Sequence, residues 1–516
     1  MRSIRKAARV DRLSVAFILT LLLLAACGTW LLAYSTPFGL GLNDDSVAYI
    51  AGARSILSGN GYREAWLASN GPVTHFPPGY PIVLAVIGTL TGLDPLRGAR
   101  ALAGLLFGFN IALTGWLGYR MTGRRTLGVL AAALTLLSGP LLQIHARAMS
   151  EPLYLALMLI AFVLLEAYFR HPRARTLILL GTVLGWAYLA RYAALALVAT
   201  VLAVLVVLHR DWQVRVRSAV ILIASLSPWL LIWSIRNRIV GGSFTNRVLG
   251  WHPITFENWE LGVSTFAEFF LPVPRWRKNL IEIPGLFEGF LLLIGAFLLS
   301  WVLYKGLPRL LRPARKDMPS VLPFANALYM IVYMLVLVAT MTLFDPATRF
   351  QVRILSPVYI SLILVTLALG VWLWRVPGLV VKPLLVLSVI GMVGISAFGQ
   401  NRTVENLRRG GGGFADERWA EDEAMLAVKR LPEDVLVLSN EPGLVYLYAG
   451  RPSGVLPKTE PAILKLKPYV LDGKIAYALF HVNRVDPYTL NYYYDLGEGL
   501  YLTDYSDAWI FSAFPK

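Results

Sequence analysis

The chain has 516 residues, of which 56% are hydrophobic and 15% charged, and its mean hydropathy is +0.59. Soluble globular domains carry about a quarter charged residues, so this composition excludes an ordinary soluble protein. The net charge of +17 suits nucleic-acid binding or basic cytoplasmic loops of a membrane protein. Because the basic residues concentrate in short loops between apolar runs, the sequence favours a membrane protein without a nucleic-acid partner.

The first apolar segment covers residues 14–34 and contains Cys27, the single cysteine of the chain. One cysteine excludes an intramolecular disulfide. The stretch Leu24-Ala25-Ala26-Cys27 behind a basic start is similar to a lipoprotein signal, but the apolar run continues to Tyr34. We therefore predict an uncleaved membrane span.

The polar stretch Asn43-Asp44-Asp45-Ser46 follows this span. Carboxylates are costly at a membrane, so two adjacent acids indicate a function. The alternative is that one of the three residues 43–45 caps an amphipathic surface helix over residues 47–57. A cap needs only one short polar residue, and here three stand in a row. We predict that Asp44 and Asp45 are catalytic, and that Tyr49, on the same helix face as Asp45, binds the substrate.

Apolar runs of membrane-spanning length recur along the chain. They predict about eleven spans, at residues 14–34, 98–119, 126–143, 152–169, 176–190, 193–208, 217–235, 284–304, 320–343, 354–374 and 378–398.

Residues 79–93 are apolar but short, and we predict a surface helix there. Counting them as a span would place Arg124 and Arg125 outside the cell. A surface helix instead puts the basic loops on one side, together with the basic amino terminus. The positive-inside rule makes that side the cytoplasm, within a multi-pass protein of the plasma membrane.

A second acid and several arginines fall on the predicted outer side. Glu151 opens the span at residue 152, where it would either cap the helix, with Ser150, or take part in the chemistry. The guanidinium group suits phosphate oxygens, although arginines also snorkel at helix ends. As a set, these residues predict a bound lipid phosphate beside reacting carboxylates; the arginines are Arg147, Arg191, Arg349 and Arg353.

His75 lies in the first outer loop and would contact a phosphate or ligate a metal, although a lone loop histidine more often does neither. No spacing of metal ligands is present around the histidines. The sequence leaves a divalent cation open as a cofactor, with Asp45 and Glu151 as its ligands if one binds.

The composition changes near residue 400, after which lie 16 of the 31 acidic residues and no apolar span. A joint of four glycines at 410–413 separates the two parts. The pattern predicts helices at 416–431 and 441–449 and strands at 435–438, 474–482 and 508–513. We predict a transmembrane domain over residues 1–399 and a small extracytoplasmic α/β domain over residues 400–516.

The order of these motifs resembles the membrane glycosyltransferases with a GT-C fold, in the family of protein O-mannosyltransferases and aminoarabinose transferases. Asp45-Ser46-Val47-Ala48-Tyr49 matches the Asp-acid-x-x-Tyr motif of the first outer loop. Pro77-Pro78-Gly79-Tyr80-Pro81 matches the surface helix, Glu151 the second acid, and residues 349–357 the arginine stretch that ends in proline. Ser46 departs from the family, in which an acid often follows the aspartate.

The resemblance covers about residues 10–400. It implies an all-α polytopic protein that transfers a sugar from a polyprenyl-phosphate donor to an extracytoplasmic lipid, glycan or protein, with inversion at the anomeric carbon. Asp45 would act as the base. Arginines or a divalent ion would stabilise the phosphate charge. We expect Asp45 and Glu151 to converge in one cavity.

Three alternatives stay open at this point. A transporter or flippase for a lipid-linked sugar would use the same arginines without a base, although no pair of matching halves is evident. A polysaccharide polymerase or ligase would differ mainly in its acceptor. A scaffold that binds a partner through its tail would use residues 44–45 only as helix caps.

Overall fold

The computed structural model describes residues 12–245, 247–311, 320–378, 380–457, 459–484, 500–505 and 507–514. Over these residues the chain divides into two compact units. The helical unit takes the described residues within Met1–Ser35, Thr74–Tyr80 and Ala101–Arg408, and the mixed unit takes those within Thr36–Val73, Pro81–Arg100 and Arg409–Lys516. The domain division that we placed at 399/400 stays a prediction.

Eight described helices are long and apolar enough to cross a membrane, which makes the chain a multi-pass membrane protein. They are α1 (Arg12–Ser35), α4 (Pro95–Thr122), α7 (Glu151–Arg170), α10 (Trp212–Gly241), α13 (Leu286–Leu311), α14 (Val321–Leu343), α15 (Val352–Leu373) and α16 (Val381–Gly410). Three shorter apolar helices are α3 (Gly79–Thr91), α8 (Ala174–Ala190) and α9 (Ala194–Leu208).

A broken helix adds a ninth candidate span. Helices α5 (Arg125–Leu136) and α6 (Gly139–His145) meet at 62°. The break has a local cause, because Ser138 accepts a hydrogen bond from the backbone nitrogen of Leu141 and Pro140 stands in the first turn of the new helix. All eleven predicted segments coincide with helices, the one at 126–143 with this bent pair. The count of eleven spans stays a prediction.

Glycines allow close packing inside the helical unit. A Cβ atom at Gly181 of α8 would stand 1.9 Å from the hydroxyl of Ser225, and one at Gly185 would stand 2.3 Å from the ring of Trp229. Both partners belong to α10. Small residues let membrane helices approach this closely, so α8 and α10 form a tight pair.

Buried tyrosines hold α7 against α14. The hydroxyls of Tyr154 and Tyr329 are 2.8 Å apart, and both side chains are fully buried. The hydroxyl of Tyr333 donates to the backbone oxygen of Ile354 in α15 at 2.6 Å. Hydroxyls buried among apolar helices need such partners, and these bonds fix the beginning of α7 relative to its neighbours.

The mixed unit contains a five-stranded sheet. Its strands are β1 (Leu436–Ser439), β2 (Gly454–Val455), β3 (Ile475–Phe480), β4 (Tyr501–Tyr505) and β5 (Ala508–Ser512). Their order across the sheet is β2-β1-β3-β5-β4. Strands β2, β1 and β3 are parallel, whereas β5 runs antiparallel to both β3 and β4. The predicted small α/β fold of the tail is therefore confirmed, and β1, β3 and β5 are the strands that the sequence predicted.

Short helices complete the two units. The predicted helix at 416–431 is shorter than expected, because a 3-10 turn at Glu417–Ala420 precedes a new start capped by Asp422. Helices α11 and α12 lie in the helical unit, and the others belong to the mixed unit. These helices are α2 (Asp44–Leu57), α11 (Phe256–Phe270), α12 (Pro274–Ile281), α17 (Glu423–Arg430), α18 (Pro442–Tyr448) and α19 (Glu460–Leu471).

Candidate functional site

Glu151, the first residue of α7, is the centre of a charged cluster in the helical unit. Its side chain is 2% exposed, and its Oε1 lies 2.6 Å from Nη1 of Arg191 and 3.9 Å from Nη1 of Arg353. Ser150 makes no side-chain cap to the helix, contrary to the predicted cap. Its hydroxyl instead accepts from Nη1 of Arg191 at 3.3 Å. The beginning of α7 therefore binds a guanidinium group.

A third arginine joins the cluster from the turn before α7. Arg147, Arg353 and Glu151 line a small cavity of about 30 Å³, which has room for water. Protein atoms around Arg147 reduce its hydration and lower the pKa of its guanidinium, and the charge of Arg353 lowers it further. Three guanidinium groups thus surround one carboxylate, and the local formal charge is positive.

Each arginine comes from a different part of the helical unit. Arg191 ends α8 in an extended conformation, with φ −154° and ψ 135°, which turns the chain towards α9. Arg353 is the second residue of α15. Arg349 is exposed, and the buried Phe350 beside it is fixed by a hydrogen bond from its backbone nitrogen to Oδ1 of Asn258 at 2.9 Å. The structure therefore brings Arg147, Arg191 and Arg353 to Glu151, while Arg349 is exposed to solvent.

The sequence indicated no role for two buried polar groups near this cluster, Asn110 and His145. Asn110 donates to the backbone oxygen of Pro152 at 3.1 Å and lies 3.0 Å from Nε2 of His145. The other ring nitrogen of His145 lies 2.7 Å from the backbone oxygen of Leu141. An asparagine and a histidine inside apolar helices were the available signals, and both residues support the turn that carries Arg147.

The first turn of α2 carries the paired acids in the mixed unit. Asn43 is the cap, since its side-chain oxygen accepts from the backbone nitrogen of Ser46 at 3.0 Å and from its hydroxyl at 2.9 Å. Asp44 and Asp45 are therefore not needed as the cap. Loss of hydration and the negative charge of Asp45 raise the pKa of Asp44. Helix capping therefore does not explain the two acids.

Two further residues of the first outer loop, Tyr49 and His75, were predicted to bind the substrate. Tyr49 is 4% exposed inside α2. His75, in the helical unit, lies with its ring 4.2 Å from that of Phe76. Their predicted roles towards a substrate stay predictions.

Glu441 is an acid of the mixed unit that sequence reasoning missed. It precedes α18, whose Gly443 packs so closely on α2 that a Cβ atom there would stand 2.9 Å from Oδ1 of Asp44. Burial, and then the charge of Asp44, raises the pKa of Glu441 to about 7. The motif Glu441-Pro442-Gly443 directly after a predicted strand was the available signal. A carboxyl group of the tail therefore interacts with the start of α2.

The residues do not fit a divalent cation. Within the described ranges, no group of three or more histidine, cysteine or acidic side chains is arranged to hold a metal ion. Glu151 faces Arg191 and Arg353, whose positive charges oppose a cation there. We therefore derive no step of the chemistry through a metal.

No family model matches the sequence, and neither does any curated protein. Solved structures do. ArnT from Cupriavidus metallidurans in the apo state has a TM-score of 0.55 at 15% identity, over 98% of this chain and 99% of that chain. The oligosaccharyltransferase of Archaeoglobus fulgidus has a TM-score of 0.57 at 12% identity, over 96% and 73%. The mycobacterial arabinofuranosyltransferase AftD has a TM-score of 0.52 at 14% identity, over 96% and 41%.

These neighbours share the GT-C fold, and the chain has this fold too. Two further structures hold a lipid phosphate. ArnT is bound to undecaprenyl phosphate in one, and the archaeal oligosaccharyltransferase AglB is in complex with a dolichol-phosphate and an inhibitory peptide in the other.

Proposed function

We propose that the protein is a glycosyltransferase that moves a sugar from a polyprenyl-phosphate donor to an extracytoplasmic acceptor. One observation carries the proposal: a chain with the GT-C fold gathers Arg147, Arg191 and Arg353 around the buried Glu151. Neighbours with this fold hold polyprenyl phosphates in their own structures. The coincidence of fold and arginine cluster supports a lipid-linked donor.

The charge of the cluster suits the phosphate of the donor. Guanidinium groups bind phosphate oxygens in bidentate fashion, with hydrogen bonds strengthened by charge. Glu151 compensates part of the positive charge and orients Arg191 and Arg353. The remaining positive charge would stabilise the phosphate as it gains a negative charge on leaving, which is the largest electrostatic demand of the reaction.

The reaction also needs a base for the acceptor hydroxyl, and we assign that role to Asp45. The acceptor oxygen forms a bond to the anomeric carbon while the bond from that carbon to the phosphate oxygen breaks. The hydroxyl proton goes to the carboxylate of Asp45, and the electron pair of the broken bond leaves with the polyprenyl phosphate. Attack from the opposite face inverts the anomeric configuration. Asp44 assists through its charge, and the convergence of Asp45 with Glu151 stays a prediction.

The distribution of basic loops supports the orientation of the protein. Arg124, Arg125 and the amino terminus are assigned to the cytoplasm, and the paired acids to the opposite side. A carrier lipid presenting its sugar there would meet an extracytoplasmic acceptor. Cysteine labelling with a membrane-impermeant maleimide, in a chain with Cys27 replaced by serine, tests this topology at Asn60→Cys, which is exposed in the mixed unit.

The decisive experiment uses the full chain in lipid nanodiscs with a set of polyprenyl-phosphate pentoses and hexoses and an envelope extract as acceptor. A transferase releases polyprenyl phosphate and attaches the sugar to a component of the extract. A flippase, tested in sealed vesicles, moves the intact donor across the bilayer without breaking the sugar-phosphate bond. Release that is unchanged in Asp45→Asn would overturn the assignment of the base, and no release with any donor would overturn the transferase.

A further inference from the structure

The carboxyl ends of the parallel neighbours β1 and β3 lie side by side at one end of the sheet, which we call the carboxyl edge. The direction in which the chain adds strands changes here. From β1 the chain places β2 on one side and β3 on the other, so a topological switch point lies between β1 and β3. Open parallel sheets bind ligands outside the carboxyl ends of their strands at such a point. Glu441 follows the end of β1 and His481 follows the end of β3, so both residues lie at this edge.

His481 has an unusual backbone conformation. Its φ is +55°, in the left-handed region that residues other than glycine uncommonly adopt. Its Nδ1 lies 3.1 Å from Oδ2 of Asp507, and Asn483 donates to the other oxygen of that carboxylate at 3.2 Å. An acid in this position fixes the orientation of the imidazole ring, as it does in catalytic dyads. Strained residues that are held so firmly concentrate at binding and catalytic sites.

The backbone at this edge is fixed independently of any ligand. Both amide atoms of Asn440 bond to the backbone of Phe480, at 2.7 Å and 2.9 Å, and so clamp the end of β1 to the end of β3. The edge is thus pre-organised, which lowers the entropic cost of binding.

The ring of Trp419 packs against His481. Trp419 is 4% exposed, and its indole nitrogen has no hydrogen-bond partner among the described residues. Its ring centroid lies 5.2 Å from that of His481, edge to face. Buried N–H groups without a partner are uncommon in native proteins, and a bound hydroxyl would supply one here.

The charge at the edge decides the class of ligand. Glu441 and Asp507 contribute carboxyl groups, and Asp44 of α2 interacts with Glu441. The nearby Arg418 is paired with Asp416 at 3.5 Å. This acidic surface disfavours an anion. Carboxylate, imidazole and indole groups together offer both hydrogen-bond acceptors and donors, as the hydroxyls of a sugar require.

We propose that the carboxyl edge of β1 and β3, with Glu441, His481 and Asp507, binds the sugar hydroxyls of an uncharged glycan, which is the acceptor side of the reaction. The assignment of this glycan as the acceptor rests on the proposed transferase function. Binding itself requires only the mixed unit's own residues.

Saturation-transfer NMR measures the binding of glycosides to the full chain in nanodiscs. The probes are methyl β-glucopyranoside, methyl α-mannopyranoside, methyl α-arabinofuranoside and, as the anionic counterpart, methyl β-glucuronide. We expect saturation of at least one neutral glycoside and weaker saturation of the glucuronide. In His481→Gly, which suits the left-handed backbone, the Kd for that glycoside should rise about tenfold, because the ligand loses one hydrogen-bond partner. Asp507→Asn should raise it less.

Asn70→Gly is the matched control, since Asn70 also has a positive φ of 42° in the mixed unit but lies outside this edge. It should leave glycoside binding unchanged. Equal binding by the wild type and His481→Gly, or no saturation of any neutral glycoside by the wild type, would overturn the proposal. Undecaprenyl phosphate binding, measured in parallel, should be the same in all variants. A wild type that fails to bind this lipid contradicts the donor part of the proposed function and not the glycan site.

Discussion

The carboxylate of Glu151 lies 2.6 Å from the guanidinium of Arg191, with side-chain exposures of 2% and 18%. Breaking a buried ion pair by removing one partner costs about 3–5 kcal/mol, because the other charge stays buried without compensation. We therefore expect Glu151→Gln to lower the stability of the protein by about 3 kcal/mol. Thermal unfolding in detergent, followed by intrinsic fluorescence, measures this change.

A double variant separates stability from binding at the same pair. Glu151→Gln with Arg191→Met removes both charges, so most of the lost stability should return. Binding of undecaprenyl phosphate should not return, because a phosphate contact is missing. Recovery of both properties would show that Arg191 serves only the fold.

Arg353→Ala should weaken the binding of undecaprenyl phosphate by at least about tenfold, since hydrogen bonds between charged groups contribute about 1.5–3 kcal/mol. Arg353→Lys should restore the charge but only part of the affinity, because an ammonium cannot bind two oxygens in a planar fork. Titration in nanodiscs measures the Kd.

The exposed Arg349 allows a comparison with Arg353 in the binding of undecaprenyl phosphate. We expect Arg349→Ala to weaken the same lipid less than Arg353→Ala does, because its charge is better hydrated and more strongly screened. A larger effect at Arg349 than at Arg353 would place the phosphate away from Glu151.

Asp45→Asn should abolish sugar transfer while leaving insertion and folding intact. Loss of a general base typically costs about 10²–10⁴ in rate. Asn43→Ala is the control in the same turn, because it removes the cap and should cost about 1 kcal/mol of stability without a comparable loss of rate. Release of polyprenyl phosphate is the readout for both variants. Equal rate losses in the two variants would mean that the acids only support the helix.

The sequence predicted most of the helices because their signal is local. A run of about 20 apolar residues is legible without tertiary information, and every such segment proved helical. The break between α5 and α6 was missed because Ser138 and Pro140 lie inside an otherwise continuous apolar run. Strand β4 was missed because its exposed edge carries polar residues such as Thr503 and Asp504, which hide the alternation of a buried strand.

The candidate sites depended on contacts between distant positions. The sequence supplied Glu151 and the arginines, but only the fold shows that Arg191 and Arg353 face the same carboxylate. Glu441 could not be associated with Asp44, since about three quarters of the chain separates them and no local pattern joins them. The types of residue at the candidate sites were therefore predictable, whereas the contacts between those residues were not.

The interaction of Glu441 with Asp44 predicts a dependence of stability on pH. Burial and the charge of Asp44 raise the folded-state pKa of Glu441 from 4.5 to about 7, so the fold favours the protonated carboxyl group. The mixed unit should therefore lose stability as the pH rises from about 4.5 to about 7, and little more above that range. Because Glu441 is only partly buried, solvent screening limits the loss to about 1 kcal/mol.

Two variants test whether Glu441 causes this dependence of stability on pH. Glu441→Gln has no proton to lose, so its unfolding temperature should stay level between about pH 5 and about pH 8, apart from the slope that other groups give both proteins. Asp44→Asn removes the neighbouring negative charge, so the folded-state pKa of Glu441 should fall. The loss of stability should then be smaller and should end at a lower pH than in the wild type. Differential scanning fluorimetry across this range measures all three proteins. A wild-type slope that persists in Glu441→Gln would assign the dependence to a different group.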